Sequence, residues 1–245
     1  MALYTQSAGG YQFLASSPQA PFSNGVVALT GYEIVHATLP APLPWRQGFA
    51  RIARHLEELG RPRAALCALE LRCPKPYTTE GFAAYNQQYR ALLESWAIVV
   101  DGYVPAARSN VAPAIVAPAE QSLYAFSYTV ASSASALSFV ISGAAERPEV
   151  RPSDTSLDAL REKTADVMAT MGGRLAQIAA PWADVTRLNV YTTAPLHAVI
   201  EADILARIGP AAVHGIHWFY SRPPVEDLDI EMDVRCTRQE VRLLG

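Results

Sequence analysis

Few side chains in this chain could do chemistry, and their spacing decides what each can mean. Asp229 and Glu231 stand two residues apart in Leu228-Asp229-Ile230-Glu231. Along a strand that spacing puts both carboxylates on one face. There they could orient a water molecule or pass a proton, although alternating acids on a solvated face read the same way. His214 and His217 are three apart in a strand-like segment, so they face opposite sides and make a poor metal pair. Cys67, Cys73 and Cys236 contain no C-x-x-C pair, which argues against structural zinc. Gly172-Gly173 lacks the spacing and the lysine of a phosphate-binding loop. Arg108 lies in Ala107-Arg108-Ser109-Asn110-Val111. A guanidinium is planar, permanently charged and able to donate two parallel hydrogen bonds, which suits a carboxylate. By residue type alone, an ordinary strand arginine paired with a nearby acid reads the same way. Trp218-Phe219-Tyr220 is an apolar block for a core or an interface, or a wall for an apolar substrate.

The elements that must position these residues repeat. Val26 to Gly31 and Leu137 to Gly143 are apolar runs ending in glycine, each read as a strand. A proline-rich loop follows each, at Leu39 to Pro44 and at Pro148 to Pro152. Phe49, Ile52, Ala53, Leu56 and Leu59 then recur at helical spacing, with Gly60 as a stop. Leu157, Leu160, Thr164, Val167, Met168, Met171, Leu175 and Ile178 do the same in the second half, with Ser153 or Asp154 as the cap. A strand follows in each half (Ala64 to Leu71, Val185 to Tyr191), then a helix (Glu80 to Trp96, His197 to Ile208). Two more strands close each half: Ala107 to Val116 and Leu123 to Val130, then Val213 to Tyr220 and Leu228 to Arg235. Both halves read β-α-β-α-β-β, an α+β fold with helices on one face of a sheet. The boundary falls in the Ser/Ala-rich stretch from Ala131 to Ala136, giving domains 1–131 and 132–245.

Composition bounds the function classes. The 245 residues include 20 basic and 23 acidic side chains, a formal charge of −3, with 50% hydrophobic and 18% charged residues. That argues against a disordered chain and against a nucleic-acid binder, which carries a basic footprint. No apolar stretch approaches the ~20 residues of a spanning helix, and the N-terminal segment lacks a basic start with an apolar run. Three sparse cysteines read as free thiols in a reducing compartment, so a cytoplasmic protein is expected, without membrane or nucleic-acid partners.

This order of elements resembles the YjgF/Rid family of reactive-intermediate deaminases, once per half. The family's first strand ends in Ser-Gly, matched by Ser142-Gly143 and more loosely by Thr30-Gly31. Its middle strand is similar to Asp184-Val185-Thr186-Arg187-Leu188-Asn189-Val190-Tyr191-Thr192. Its signature, Pro-Ala-Arg-Ser/Thr-x-Val before a proline turn and an acidic last strand, is matched by Ala107 to Val111 and then Pro118. In the second half Gly209 to His214 aligns with the signature, with Ala212 where the arginine would stand. The acidic strand survives there as Leu228 to Glu231, while the first half has Leu123-Tyr124-Ala125-Phe126. Neither half holds a complete set. The resemblance therefore implies one composite site where the Arg108 half meets the other half, in the same chain or a neighbour.

The resemblance implies a chorismate-mutase-like fold, a homotrimer with clefts between domains, and cofactor-free hydrolysis of an enamine or imine to a keto acid and ammonia. The partner would be an unsaturated amino acid carrying a carboxylate, with 2-aminomuconate the best-fitting class. Arg108 would dock the carboxylate; Asp229, Glu231 or His214 would serve as acid or base; Gly31, Ser109, Asn110, Gly143 and Trp218 would line the substrate. Neither a metal nor an organic cofactor is called for, because an imine is already electrophilic. A non-catalytic binding or assembly protein of the same fold and a chorismatase-like enzyme stand as alternatives.

Overall fold

The computed structural model describes residues 2–244. Its long helices follow from apolar spacing and from capping. In α1 (Trp45–Glu58), Trp45, Phe49, Ile52 and Leu56 recur every three or four residues and are all buried, so one stripe meets the core. Helix α2 (Thr79–Ser95) starts where Thr78 Oγ1 accepts the Gly81 N–H at 3.1 Å. Helix α3 (Leu157–Gln177) is capped by Ser156, whose Oγ accepts the Ala159 N–H at 3.3 Å. The expected caps lie upstream of it: Ser153 takes a positive φ, and Asp154 accepts the Ser156 N–H instead.

The strands are β1 (Leu3–Gln6), β2 (Tyr11–Leu14), β3 (Gly25–Ala28), β4 (Tyr32–Pro44), β5 (Leu66–Arg72), β6 (Ala107–Pro113), β7 (Ser122–Ala131), β8 (Phe139–Ala145), β9 (Arg187–Thr192), β10 (His217–Phe219), β11 (Ser221–Arg222), β12 (Ile230–Cys236) and β13 (Gln239–Arg242). They build a seven-stranded sheet, β1-β2-β3-β8-β12-β9-β10, and a six-stranded sheet, β11-β6-β5-β7-β4-β13. Within these, β6-β5-β7-β4 and β10-β9-β12-β8 run in the same order. In each run the first pair is parallel and the other two are antiparallel. The fold is mixed α+β. Helices α1 and α2 bury their apolar faces on the six-stranded sheet, and α3 with residues 196–211 does so on the seven-stranded one. The opposite faces of the two sheets meet around Tyr11, Phe13, Ile34, Cys67, Ala68 and Ala107.

Several segments depart from the sequence expectation. The apolar run at Val26 is β3, but it pairs with β8 in the other half's sheet. The first half's own opening strand is β4, which includes the expected loop at Leu39 to Pro44. Its prolines lie beyond Thr38, where β13 no longer pairs, so no ladder donor is lost on that side. The expected helix at His197 to Ile208 is a series of short, irregular helical turns running on to His214. That series takes in Ala212 and His214, so neither lies in a strand; β10 begins only at His217. Gly209 (φ 56°) and Gly215 (φ 67°) punctuate this stretch. His217 stands opposite Asn189, and Ser109 in β6 stands opposite Glu70.

Candidate active site

A pocket of about 230 Å³ opens where β6 of the first half meets β8 and β12 of the second. Arg108, Asn110, Gly143 and Glu231, all singled out from sequence, line it. Strand β6 is fixed there because the Arg108 N–H donates to Ser142 Oγ at 3.0 Å, tying β6 to β8. The Arg108 guanidinium is buried, and Nη1 donates to Asn86 Oδ1 of α2 at 2.9 Å. It lies over the rings of Phe22 (4.7 Å), Tyr89 (4.9 Å), Phe82 (5.5 Å) and Tyr85 (5.9 Å). Those ring faces hold a cation electrostatically without neutralising it. Among the described residues, no carboxylate stands within salt-bridge distance of Arg108. Asn110 accepts from Gln121 Nε2 through Oδ1 at 2.9 Å, while its buried Nδ2 has no hydrogen-bond partner among the described residues. The buried hydroxyls of Tyr85 and Tyr89 have none either.

The facing wall comes from the second half. Glu231 points from β12 against the backbone of Gly143, where a Cβ would collide with Glu231 Oε1 as it stands. Only glycine admits that approach. Burial, and then the neighbouring Asp233, push the Glu231 carboxyl up to about 8, against the pull of Arg108, Arg72 and Arg174. Glu231 therefore holds its proton at pH 7 and can act as an acid. Arg174 of α3 also lines the pocket. Its Nη1 donates to the carbonyls of Ser142 (2.8 Å) and Gly143 (3.4 Å), and burial pushes its guanidinium down to about 10.

A polar network between the sheets backs the site. Asp233 accepts from Ser109 Oγ (2.6 Å), Tyr191 OH (2.8 Å) and Asn189 Nδ2 (2.9 Å). Burial and Glu70 nonetheless raise its carboxyl. Burial alone would raise Glu70 too, but the permanently charged guanidiniums of Arg235 and Arg72 hold it below the usual range. Arg235 Nη1 donates to Glu70 at 3.1 Å. His36, pushed down to about 4 chiefly by burial and by Arg235, is neutral and bonds Ser127 Oγ at 3.0 Å.

Other expected site residues lie elsewhere. Ser109 spends its hydroxyl on Asp233 and does not line the pocket. Asp229 stands just before β12, with its carboxylate paired to the buried ammonium of Lys163. A cation that deep needs a counter-ion, so this acid is already engaged. His214 is exposed in a helical turn. Gly31 is exposed at the turn between β3 and β4, with φ 88°. Trp218 is 37% exposed, donates Nε1 to the Thr192 carbonyl at 2.9 Å, and meets His197 edge-on. Sequence reasoning missed Arg174 and the Phe22 and Phe82 rings. Arg174 had a signal: it follows Val167 and Met171 at helical spacing, a charge on an apolar face.

The family model described as 2-aminomuconate deaminase CnbZ matches residues 3–241. A 2-amino-5-chloromuconate deaminase of Comamonas testosteroni is 36% identical over 248 residues, covering 97% of this chain and 97% of its own. Among solved structures, a chorismatase aligns at 13% identity with a TM-score of 0.45, over 87% of this chain and 77% of its own. A cyanuric acid hydrolase from A. caulinodans aligns at 11% identity with a TM-score of 0.42, over 86% and 68%. Matched almost from end to end by a family model and by a relative of the same length, the chain belongs to the CnbZ family of 2-aminomuconate deaminases.

Proposed function

We propose that this protein hydrolyses an aminomuconate-type enamine, in its imine form, to a keto acid and ammonia. The observation that carries this is the meeting of an unpaired buried guanidinium, Arg108, and a protonated carboxyl, Glu231, in one small pocket. Family membership and the curated relative's activity support the same reaction class. The shared strand order of the two halves supports reading the fold as tandem YjgF-like units, and three free buried cysteines support a cytoplasmic setting.

Arg108 docks the carboxylate beside the C=N carbon, and its charge favours the electron-poor imine. Water adds its oxygen to that carbon while Glu231 gives its proton to the nitrogen. The carboxylate so formed takes back the proton that the attacking water loses. In the resulting carbinolamine Glu231 delivers its proton to nitrogen, the C–N bond breaks to release ammonia as the C–O bond becomes C=O, and the hydroxyl proton returns to the Glu231 carboxylate. Asn110 Nδ2 supplies a further donor to the bound acid.

Replacing Arg108 by Ala should lower kcat/KM for ammonia release from 2-aminomuconate by about 10²–10³-fold. The circular dichroism spectrum and Tm should stay close to wild type. Ammonia release at the wild-type rate in Arg108→Ala would remove the docking role.

A further inference from the structure

The pocket holds more positive charge than one carboxylate can answer. Arg108 enters from β6 and Arg174 from α3, and both line the same 230 Å³ space. Among the described residues, neither guanidinium has a carboxylate within salt-bridge distance. The one acid lining the pocket, Glu231, is kept neutral at pH 7 by burial. Among the described residues Arg174 commits only Nη1, to two backbone carbonyls, so Nε and Nη2 carry no hydrogen bond to any of them. Those two donors form the edge of the fork that grips a carboxylate through parallel bonds. Much of the remaining lining is apolar, with Phe22, Phe82, Val225 and Leu228 among its residues. Two cations without a counter-ion in one largely apolar pocket match an unsaturated chain with a carboxylate at each end.

From this geometry we infer that Arg174 is a specificity residue, binding the substrate carboxylate remote from the C=N carbon and making the site selective for dicarboxylates. This rests on the deaminase reading, in which Arg108 takes the near carboxylate. The pocket is also smaller than the roughly 300–1,000 Å³ typical of drug-sized ligands, so a second carboxylate held by Arg174 would fix the chain's position along its length. Uncompensated cations in a partly desolvated cavity are unfavourable, and a dianion relieves both at once.

The test is calorimetric titration with muconate, a conjugated six-carbon diacid, and sorbate, the same chain with a methyl in place of one carboxylate. Wild type should bind muconate about 10–100-fold more tightly than sorbate. Arg174→Gln should erase that preference while leaving sorbate, held by Arg108, within about twofold of wild type. Arg174→Lys should keep the charge and part of the preference. No preference in wild type, or a preference that survives in Arg174→Gln, overturns the inference. If Arg174→Gln loses both ligands, Arg174→Lys decides: sorbate binding with a partial diacid preference supports the role, and sorbate binding without it, or loss of both ligands again, overturns it. The deaminase reading fails separately, if wild type shows the diacid preference yet releases no ammonia from 2-aminomuconate.

Discussion

Glu231 meets two opposing demands, and both are visible in its surroundings. As an acid it must keep a proton near neutrality, and burial with Asp233 alongside raises its carboxyl to about 8. The same shift acts on stability. Between the ordinary carboxyl value and about 8, the folded protein holds a proton there that the unfolded chain has released. The folded state therefore binds more protons than the unfolded state, and stability from this group falls as pH rises through that window. Rate and stability should decline together on the alkaline side. Glu231→Gln keeps the shape, cannot ionise and cannot pass a proton. Its urea-unfolding midpoint should vary less with pH than that of wild type between about 4.5 and 8. Its kcat/KM should fall by about 10²–10⁴-fold and lose the alkaline limb near pH 8. A variant with the wild-type pH–rate profile would assign the proton to another group.

At the scale of elements, β13 is small but closes several accounts of polarity. It pairs in parallel with β4 from Val35 to Thr38. Its Glu240 holds Arg235 through two bonds, at 2.9 and 3.0 Å, and Arg235 in turn holds Glu70. Ending the chain at Thr237 would uncover the β4 edge and leave Arg235 with Glu70 alone. The truncated protein should lose about 2–5 kcal/mol and about 5–15 °C in Tm, with concentration-dependent aggregation from the bare edge; an unchanged Tm would show that β13 merely decorates the sheet. What the sequence displayed and what it hid divide along the same physical lines. Strand β5 is apolar except for Glu70 and Arg72, and α1 carries a clean apolar stripe, so local pattern sufficed for both. Prolines mask β4, because only the tertiary pairing shows that its proline-bearing end has a free side. Segment 196–214 is apolar enough to pass for a helix and then a strand, yet glycines at 209 and 215 and proline at 210 bend it into neither. In the pocket, Arg108 and Glu231 were legible through the resemblance and through strand spacing. The ring of Phe22 over Arg108 was not, since 86 positions separate the two in sequence and no local period links them. Asp229 was read as the twin of Glu231; the buried Lys163 that claims it lies 66 residues away.

The whole molecule is organised by exchange between its halves. The N-terminal strands β1, β2 and β3 extend the second half's sheet through β8, while the C-terminal β13 extends the first half's sheet through β4. Each half thus completes the other, and the pocket takes Arg108 and Asn110 from one and Gly143, Arg174 and Glu231 from the other. Cutting the chain between Ala131 and Ser132 severs no strand pair directly, but parting the pieces strips β3 from β8 and β13 from β4. It also breaks the buried Glu70–Arg235 pair and the Ser109–Asp233 bond. Residues 1–131 and 132–245 made separately should therefore show no cooperative thermal transition, because each carries an open edge and unpaired buried charges. Made together in one cell, they should associate, melt cooperatively and release ammonia from 2-aminomuconate, since every lining residue of the pocket is then present. A fragment 132–245 that melts cooperatively on its own would mean that β8 does not need β3, and that the two halves are docked units and not mutually completed ones.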